Sequence, residues 1–404
     1  MSQETEARRH KNVVYFKRGE LDYVLQTALS TAASDAAAIG EVFYAASRVN
    51  EKEKDLGSWI KEWSDLGSRV EKIARDALAK GHNVSAREAY LRAFNYYRIG
   101  AYLMRVNDPV YKESVQHFRN CFCKAAALFD PPFEQIEINC EGQKLPGYFI
   151  KADKTGKPRR TILFFSGGES FSEEIYIWFG PAALKRGYNL LAIDLPGQGI
   201  TSLEGIHFRH DVEVPVSAAI DYLLTRPEVD PHSIVASGVS YGGYVTMRAA
   251  AHDKRLAAVS ASTPLIDFQK MINENAPWLS KVPAFAGDAA VKILGRIDPF
   301  AMVVYEKFLD ACGFKQPSEA VTGFENWTVD VSQIKCPVLC MVGAGEHKSF
   351  QWQAHTAYER LSAEGKTLRV FEVSEGADAH CQANNIPLGS QVVFDWFDEM
   401  LQSS

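Results

Sequence analysis

Apolar and polar positions follow two different patterns along this chain of 404 residues. Between about Leu21 and Phe129, apolar residues recur at spacings of three and four, as in Ile60, Trp63, Leu66, Val70 and Ile73. This spacing places them on one face of an α-helix. The pair Pro131-Pro132 closes the region, because proline cannot continue a helix. We therefore predict an N-terminal helical domain over residues 1–130.

After residue 130, short apolar and β-branched runs alternate with segments of helix length. Eight runs are predicted strands: Glu134–Asn139, Pro146–Lys151, Thr161–Phe165, Asn189–Asp194, Ser233–Gly238, Ala257–Ser260, Val338–Val342 and Leu368–Val373. Strands separated by helices need crossover connections, so the pattern predicts a mostly parallel sheet covered on both faces. The short link Glu141–Gln143 indicates that the first two strands are antiparallel. This second domain spans residues 131–404.

One interval breaks this alternation. A long segment rich in Trp, Phe, Met and Pro separates the predicted strands Ala257–Ser260 and Val338–Val342. Its length exceeds that of an ordinary connection between neighbouring strands. We interpret residues 267–331 as a helical cap insertion over the C-terminal edge of the sheet.

The strongest local motif is Gly238-Val239-Ser240-Tyr241-Gly242. It follows an apolar predicted strand and precedes a helical pattern, which is the context of a G-x-S-x-G nucleophile elbow. Glycines are needed there because side chains at those positions would crowd the adjoining strand and helix. The motif predicts an α/β-hydrolase fold, in class α/β, with Ser240 as the attacking residue.

A serine hydroxyl needs a general base, because it is a weak nucleophile at neutral pH. In this fold the chain order is serine, then acid, then histidine. Glu346 follows the penultimate predicted strand, and His380 follows the last one. We expect His380 to be the base and Glu346 the acid that orients it. Asp378, two residues before His380, remains the alternative orienting acid.

The loop after the predicted strand Thr161–Phe165 contains two glycines, Gly167 and Gly168. Glycines let the backbone approach a substrate carbonyl, so we expect an oxyanion hole built from Tyr241 N–H and an N–H of this loop. Four aromatic residues are candidates for the wall of the substrate pocket: Tyr176, Trp178, Trp278 and Phe285.

The amino-acid composition limits the kinds of partner that the chain is expected to bind. The formal net charge is -6, with acids and bases interspersed, which argues against nucleic acid or an anionic membrane as the main partner. The seven cysteines lack CxxC spacing, so we expect reduced thiols in a cytoplasmic protein and neither a disulfide framework nor a metal site. No apolar run approaches the roughly 20 residues that span a bilayer. We expect a small-molecule substrate and no cofactor.

Three segments together resemble a distinct α/β-hydrolase group: Asp221–Asp230, Ser166–Glu169 and Gly376–Gln382. The group includes fungal pigment hydrolases that shorten polyketide chains, of the yellowish-green conidial type, and the bacterial 2,6-dihydroxypseudooxynicotine hydrolase. The resemblance implies hydrolysis of a carbon–carbon bond in a β-diketone-like or acyl-aromatic substrate. It also implies an N-terminal helical part that helps cover the site, and a homodimer. Ser240 and His380 match the group, whereas Glu346 stands where aspartate is usual.

Two other functions fit the same residues. The first is an ester, thioester or lactone hydrolase, or an acyltransferase of secondary metabolism, which would use the same three side chains on a different bond. The second is a binding protein that keeps the hydrolase fold without catalysis. Product analysis separates the first from carbon–carbon hydrolysis, and the reactivity of Ser240 separates the second from both.

Overall fold

The computed structural model describes residues 12–53 and 56–402, so residues 1–11 of the predicted helical domain lie outside it, as do residues 403–404. The first part of the described chain is helical. Its helices are α1 (Gly19–Ser30), α2 (Ile39–Ala46), α3 (Gly57–Ala79), α4 (Asn83–Tyr102) and α5 (Tyr111–Ala126). Aromatic rings pack between them, as in the pair Trp59 and Trp63, whose centroids lie 5.5 Å apart. The helices predicted for this region are therefore present. The domain boundary at residue 130 remains an interpretation.

Eight strands form one sheet: β1 (Glu134–Cys140), β2 (Gln143–Ile150), β3 (Arg159–Phe165), β4 (Asn189–Ile193), β5 (Val229–Val239), β6 (Ala258–Ser262), β7 (Val338–Gly343) and β8 (Thr367–Phe371). Their order across the sheet is β1-β2-β4-β3-β5-β6-β7-β8. The pairs β1–β2 and β2–β4 are antiparallel, and the remaining pairs are parallel. The predicted α/β-hydrolase fold with a mostly parallel sheet is confirmed.

Helices connect and cover the strands. They are α6 (Ser172–Lys185), α7 (Gly199–Leu203), α8 (Glu213–Leu224), α9 (Tyr241–His252), α10 (Phe268–Asn275), α11 (Ala284–Ile297), α12 (Pro299–Ala311), α13 (Lys348–Arg360) and α14 (Ile386–Gln402). Successive strand residues face opposite sides of the sheet. On β3, Phe164 belongs to a buried cluster that includes residues of α6, α14 and the N-terminal helices, whereas Phe165 belongs to a second cluster that includes residues of α8, α9 and α13. No helix in the described ranges has the length and apolarity needed to cross a membrane.

Helices α10, α11 and α12 form an insertion between β6 and β7. Its two ends meet, because Asp267 and Thr328 pair in an isolated antiparallel bridge. The Asp267 carboxylate also accepts the Lys270 N–H at 2.8 Å, which caps the start of α10. This bridge closes the base of the insertion, and the predicted bounds 267–331 stay an interpretation.

The insertion contacts the N-terminal helices at the end of α4. The Lys307 ammonium on α12 donates to the carbonyl oxygens of Ala101 and Tyr102, at 3.0 and 2.7 Å. The last carbonyls of a helix carry partial negative charge and attract this group, although burial lowers the pKa of Lys307 to about 7. Arg105 pairs with Glu306 beside this contact. The helical region and the insertion are therefore joined.

Gly147 provides a test of how tightly the sheet packs. A Cβ at this position would overlap the Ala192 carbonyl on β4 and lie 2.8 Å from the Ile193 side chain. We expect Gly147→Ala to lower the free energy of unfolding by about 1–3 kcal/mol, measured by urea denaturation. Gly40→Ala is the control, since a Cβ there meets nothing within 4 Å. Equal stability of the Gly147→Ala variant and wild type would contradict this packing.

Candidate active site

Ser240 lies on the tight bend between β5 and α9. Its φ of 56° and ψ of -121° are unusual for a residue with a side chain. The bend is held at both sides: Ser240 N–H donates to the Ser262 carbonyl at 2.7 Å, and Gly243 N–H donates to the Ser240 carbonyl at 2.8 Å. This strained backbone is the geometry expected of a nucleophile elbow.

The motif glycines are required by close backbone contacts. A Cβ at Gly238 would overlap the Gly242 carbonyl on the first turn of α9. A Cβ at Gly242 would overlap the Phe165 carbonyl at the end of β3. The two glycines of the motif are therefore required by packing, because any larger residue at either position would push α9 away from the sheet.

Glu346 and His380 meet in the loops that follow β7 and β8. The His380 Nδ1 lies 2.7 Å from Glu346 Oε2. The same carboxylate accepts the Thr263 hydroxyl at 2.9 Å through Oε2 and the Gly343 N–H at 2.9 Å through Oε1. Its side chain is fully buried. Because a carboxylate only accepts hydrogen bonds, Nδ1 carries the hydrogen in the neutral ring, and Nε2 is then left as the acceptor.

The environment of His380 stabilises its charged form. Burial acts to lower the pKa of His380, while charges and hydrogen bonds of Cys381 and Glu346 raise it, and the net result is a raised pKa. A buried imidazolium is tolerated here because a carboxylate lies against it. A histidine of this kind can accept and hold a proton in a water-poor site.

The alternative acid, Asp378, has other contacts. Its carboxylate accepts from the Asn384 amide at 3.1 Å, and its carbonyl accepts the Gly345 N–H at 3.0 Å. These bonds brace the loop in front of His380. The carboxylate hydrogen-bonded to His380 Nδ1 is that of Glu346.

Ser240 and His380 line one cavity, which encloses about 710 Å³ of space between atoms, part of it open to solvent. Its wall includes Gly167, the Trp178 ring and Cys381.

The N-terminal helices also line this cavity, through Tyr23, Val24 and Thr27 of α1 and Arg98 and Tyr102 of α4. The Tyr23 hydroxyl also donates to the His380 carbonyl at 3.3 Å. The helical region is thus part of the candidate site.

The glycine loop after β3 is fixed by Gln198. Its side-chain amide donates to the carbonyls of Ser166 and Gly167, at 3.0 and 2.8 Å. Gly167 lines the cavity that contains Ser240, and a Cβ at Gly167 would lie 3.6 Å from the Ser240 Cβ. Gly168 lines a neighbouring cavity. The two predicted glycines therefore lie at the boundary between two cavities.

The predicted aromatic wall is only partly brought together. Trp178 lines the cavity. Tyr176 instead packs against Phe129 and Phe133, with ring centroids 5.2 and 4.9 Å apart. Trp278 and Phe285 are 37% and 78% exposed on the insertion. Among the described residues these three do not line the cavity, because Tyr176 faces the N-terminal helices and the other two lie on the outer side of the insertion.

Three charged residues on the cavity wall were missed by the sequence prediction: Arg98, Glu169 and Glu174. Arg98 and Glu174 are buried, with side chains 9% and 6% exposed. A signal did exist for Arg98, because it interrupts the otherwise uncharged and largely apolar run from Ala93 to Tyr102. A buried charge in a helix face is uncommon unless it has a partner or a function.

One group of metal-ligand side chains lies elsewhere, on α3 and α5. Donor atoms of Glu71, His117 and Cys121 lie within 4.8 Å of one another. However, the Glu71 carboxylate is already paired with Arg75 at 3.1 Å and Lys124 at 3.5 Å. A bound cation would compete with these charges, so the group is better explained as a link between the two helices.

The fold and the strained serine bend define an α/β hydrolase. The family model described as esterase FrsA-like matches residues 52–302. This match includes most of the helical region, the serine bend and the start of the insertion. The chain belongs to this FrsA-like family.

Fungal relatives match almost the whole chain. The hydrolase ORFZ of Pyricularia oryzae is 31% identical over 421 residues, covering 95% of this chain and 97% of that protein. The 20-hydroxy-prefusarin hydrolase FUS2 of Gibberella moniliformis is 27% identical over 397 residues, covering 92% and 94%. The crystal structure of 2,6-dihydroxy-pseudo-oxynicotine hydrolase superposes with a TM-score of 0.68 at 22% identity, covering 93% and 97%. The resemblance to this hydrolase group is confirmed.

Removing the Glu346 charge tests the origin of the raised pKa of His380. In Glu346→Gln the imidazolium loses its anionic partner, so His380 should release its proton about one pH unit or more lower than in wild type. NMR titration of histidine-labelled protein, assigned with His380→Asn, measures this change. Glu375→Gln is the control, because that carboxylate pairs with Arg369 at the surface. An unchanged titration in Glu346→Gln would contradict the assigned cause.

Proposed function

We propose that this chain is a serine hydrolase in which Ser240 attacks a substrate carbonyl. His380 removes the hydroxyl proton, and Glu346 holds His380 in the tautomer that leaves Nε2 free to accept it. The observation that carries this proposal is the 2.7 Å contact between His380 and Glu346 beside a cavity that Ser240 also lines. The order serine, acid, histidine along the chain agrees with it.

The oxyanion formed after the attack needs preorganised donors. Tyr241 is the first residue of α9, so its N–H belongs to the first-turn amides without an intrahelical acceptor. The second donor comes from the loop at Gly167 and Gly168. Gln198 holds the carbonyls of Ser166 and Gly167, and in a trans peptide the N–H of the next residue points the opposite way. Gln198 thereby orients both candidate loop donors.

The favoured substrate class is a polyketide-like or acyl-aromatic compound that is cleaved at a carbon–carbon bond. The family resemblance supports it, as does a fungal relative that acts, by its name, on 20-hydroxy-prefusarin. In this reaction Ser240 Oγ bonds to the carbonyl carbon, and the neighbouring C–C bond breaks. Its electron pair leaves as an enolate, which takes the proton from His380. Water then hydrolyses the acyl-enzyme, which releases a carboxylic acid.

Ester or thioester hydrolysis is the second candidate. The matching family model is described as that of an esterase, and the same three residues would perform that reaction. The two reactions differ in the leaving group, which is an alcohol or thiol in one case and a protonated carbon fragment in the other.

Product analysis tests the proposal. Wild type incubated with 1-phenyl-1,3-butanedione should give a carboxylic acid and a ketone, identified by mass spectrometry, with no alcohol formed. Ser240→Ala should reduce turnover by about 10⁴-fold or more, because the nucleophile is lost. Ser233→Ala is the matched control, since it lies on the same strand but away from the bend. Undiminished turnover by Ser240→Ala would rule out the serine mechanism.

The role of Gln198 gives a second test. Gln198→Ala frees two peptide planes of the glycine loop, so we expect kcat to fall by about 10- to 100-fold with little change in KM. Gln269→Ala is the control, because its amide likewise donates to two consecutive carbonyls, those of Ala320 and Val321, in the insertion. Equal kcat values for the two variants would show that Gln198 does not support the oxyanion hole.

A further inference from the structure

Arg98 brings a buried guanidinium to the wall of the cavity that holds Ser240 and His380. Its Nη1 donates to Glu174 at 2.8 Å, and its Nη2 contacts the Asn95 side-chain oxygen at 3.3 Å. Its Nε, also buried, has no hydrogen-bond partner within the described residues. A guanidinium carries five N–H donors, and a buried donor without an acceptor is destabilising. Because Arg98 lines the cavity, a ligand oxygen there can accept from its guanidinium.

The charges around Arg98 limit what that ligand can be. Burial raises the pKa of Glu174, although Arg98 acts to lower it, so this carboxylate compensates the arginine incompletely. Glu169 also lines the cavity. A permanent anion would be repelled by the Glu169 carboxylate on the same wall. A neutral carbonyl that becomes negative only during the reaction avoids this cost and gains most when its charge develops.

A neighbouring ion pair, which joins the same parts of the fold, serves as a comparison for the pair of Arg98 and Glu174. Arg119 on α5 pairs with Glu173 on α6 at 2.6 Å, one residue before Glu174. The Glu173 carboxylate also accepts the Tyr148 hydroxyl at 3.1 Å. Both ion pairs attach the N-terminal helices to α6. Within the described chain, only the pair of Arg98 and Glu174 lines the cavity with Ser240.

We propose that Arg98 binds the second carbonyl oxygen of a 1,3-dicarbonyl substrate, and this inference rests on the proposed serine mechanism. Ser240 attacks the first carbonyl. When the bond between that carbon and the central carbon breaks, its electron pair moves onto the second carbonyl oxygen as an enolate, which Arg98 stabilises. His380 returns the proton to the central carbon. Water completes the balance, so a 1,3-diketone becomes one carboxylic acid and one ketone.

Two double variants test Arg98 without leaving a buried unpaired charge. Arg98→Met/Glu174→Gln removes the pair at the cavity, and Arg119→Met/Glu173→Gln removes the matched pair beside it. Each is assayed with 1-phenyl-1,3-butanedione and with p-nitrophenyl acetate, which lacks a second carbonyl. We expect the first variant to lose about 100-fold in kcat/KM for the diketone and to keep ester hydrolysis within about threefold. In the second variant, kcat/KM should change by the same factor for both substrates.

The outcomes separate the role of Arg98 from the function of the site. Equal losses on both substrates in the Arg98 variant, or an equal selective loss in the Arg119 variant, would overturn the inference. If wild type cleaves neither substrate, the proposed function fails, and binding decides the role of Arg98. Absorbance titration of the diketone against Ser240→Ala protein, with and without the Arg98 double change, then measures affinity. At least tenfold weaker binding supports the inference, and unchanged binding overturns it.

Discussion

Helix α9 packs against the ends of β3 and β6 so closely that there is no room for side chains at two of its first three residues. A Cβ at Gly242 would overlap the Phe165 carbonyl, and one at Gly243 would overlap the Thr263 carbonyl. This approach fixes the Ser240 backbone at a positive φ. Thr263 also donates its hydroxyl to Glu346 at 2.9 Å. One segment therefore supports both the serine bend and the carboxylate that contacts His380, so a change in helix packing would disturb all three residues.

The candidate site is also assembled from two parts of the chain, the N-terminal helices and the α/β sheet. The sheet and its loops provide Ser240, Glu346 and His380, while α1 and α4 form the opposite wall of the cavity. The covering helices shield part of the site from solvent, which strengthens electrostatic interactions there. Tyr23 contacts the His380 carbonyl directly, and Lys307 ties the insertion to the end of α4. The N-terminal helices are therefore part of the chemical environment of the site as well as its cover.

Local patterns were enough to predict the sheet and the serine bend, because alternation of strand and helix and the glycine spacing are set by neighbours in sequence. The predicted fold also made Glu346 and His380 candidates for the acid and the base, because they follow the last two strands. The roles of Arg98 and Gln198 depend on contacts between distant segments; Arg98 and Glu174 are separated by 76 positions. Aromatic composition misplaced Trp278 and Phe285, because it does not specify which face of the insertion is exposed. Thr263 had no sequence signal, since a threonine after a strand is common.

The proposed mechanism requires that the folded chain make the Ser240 hydroxyl nucleophilic. Treating the native protein with a fluorophosphonate probe and mapping the adduct by peptide mass spectrometry tests this most directly. We expect one adduct per chain, located on Ser240, when the folded protein is treated, and no adduct when the protein is denatured before treatment. Absence of an adduct in folded protein, or an adduct on another residue while Ser240 stays unmodified, would contradict it.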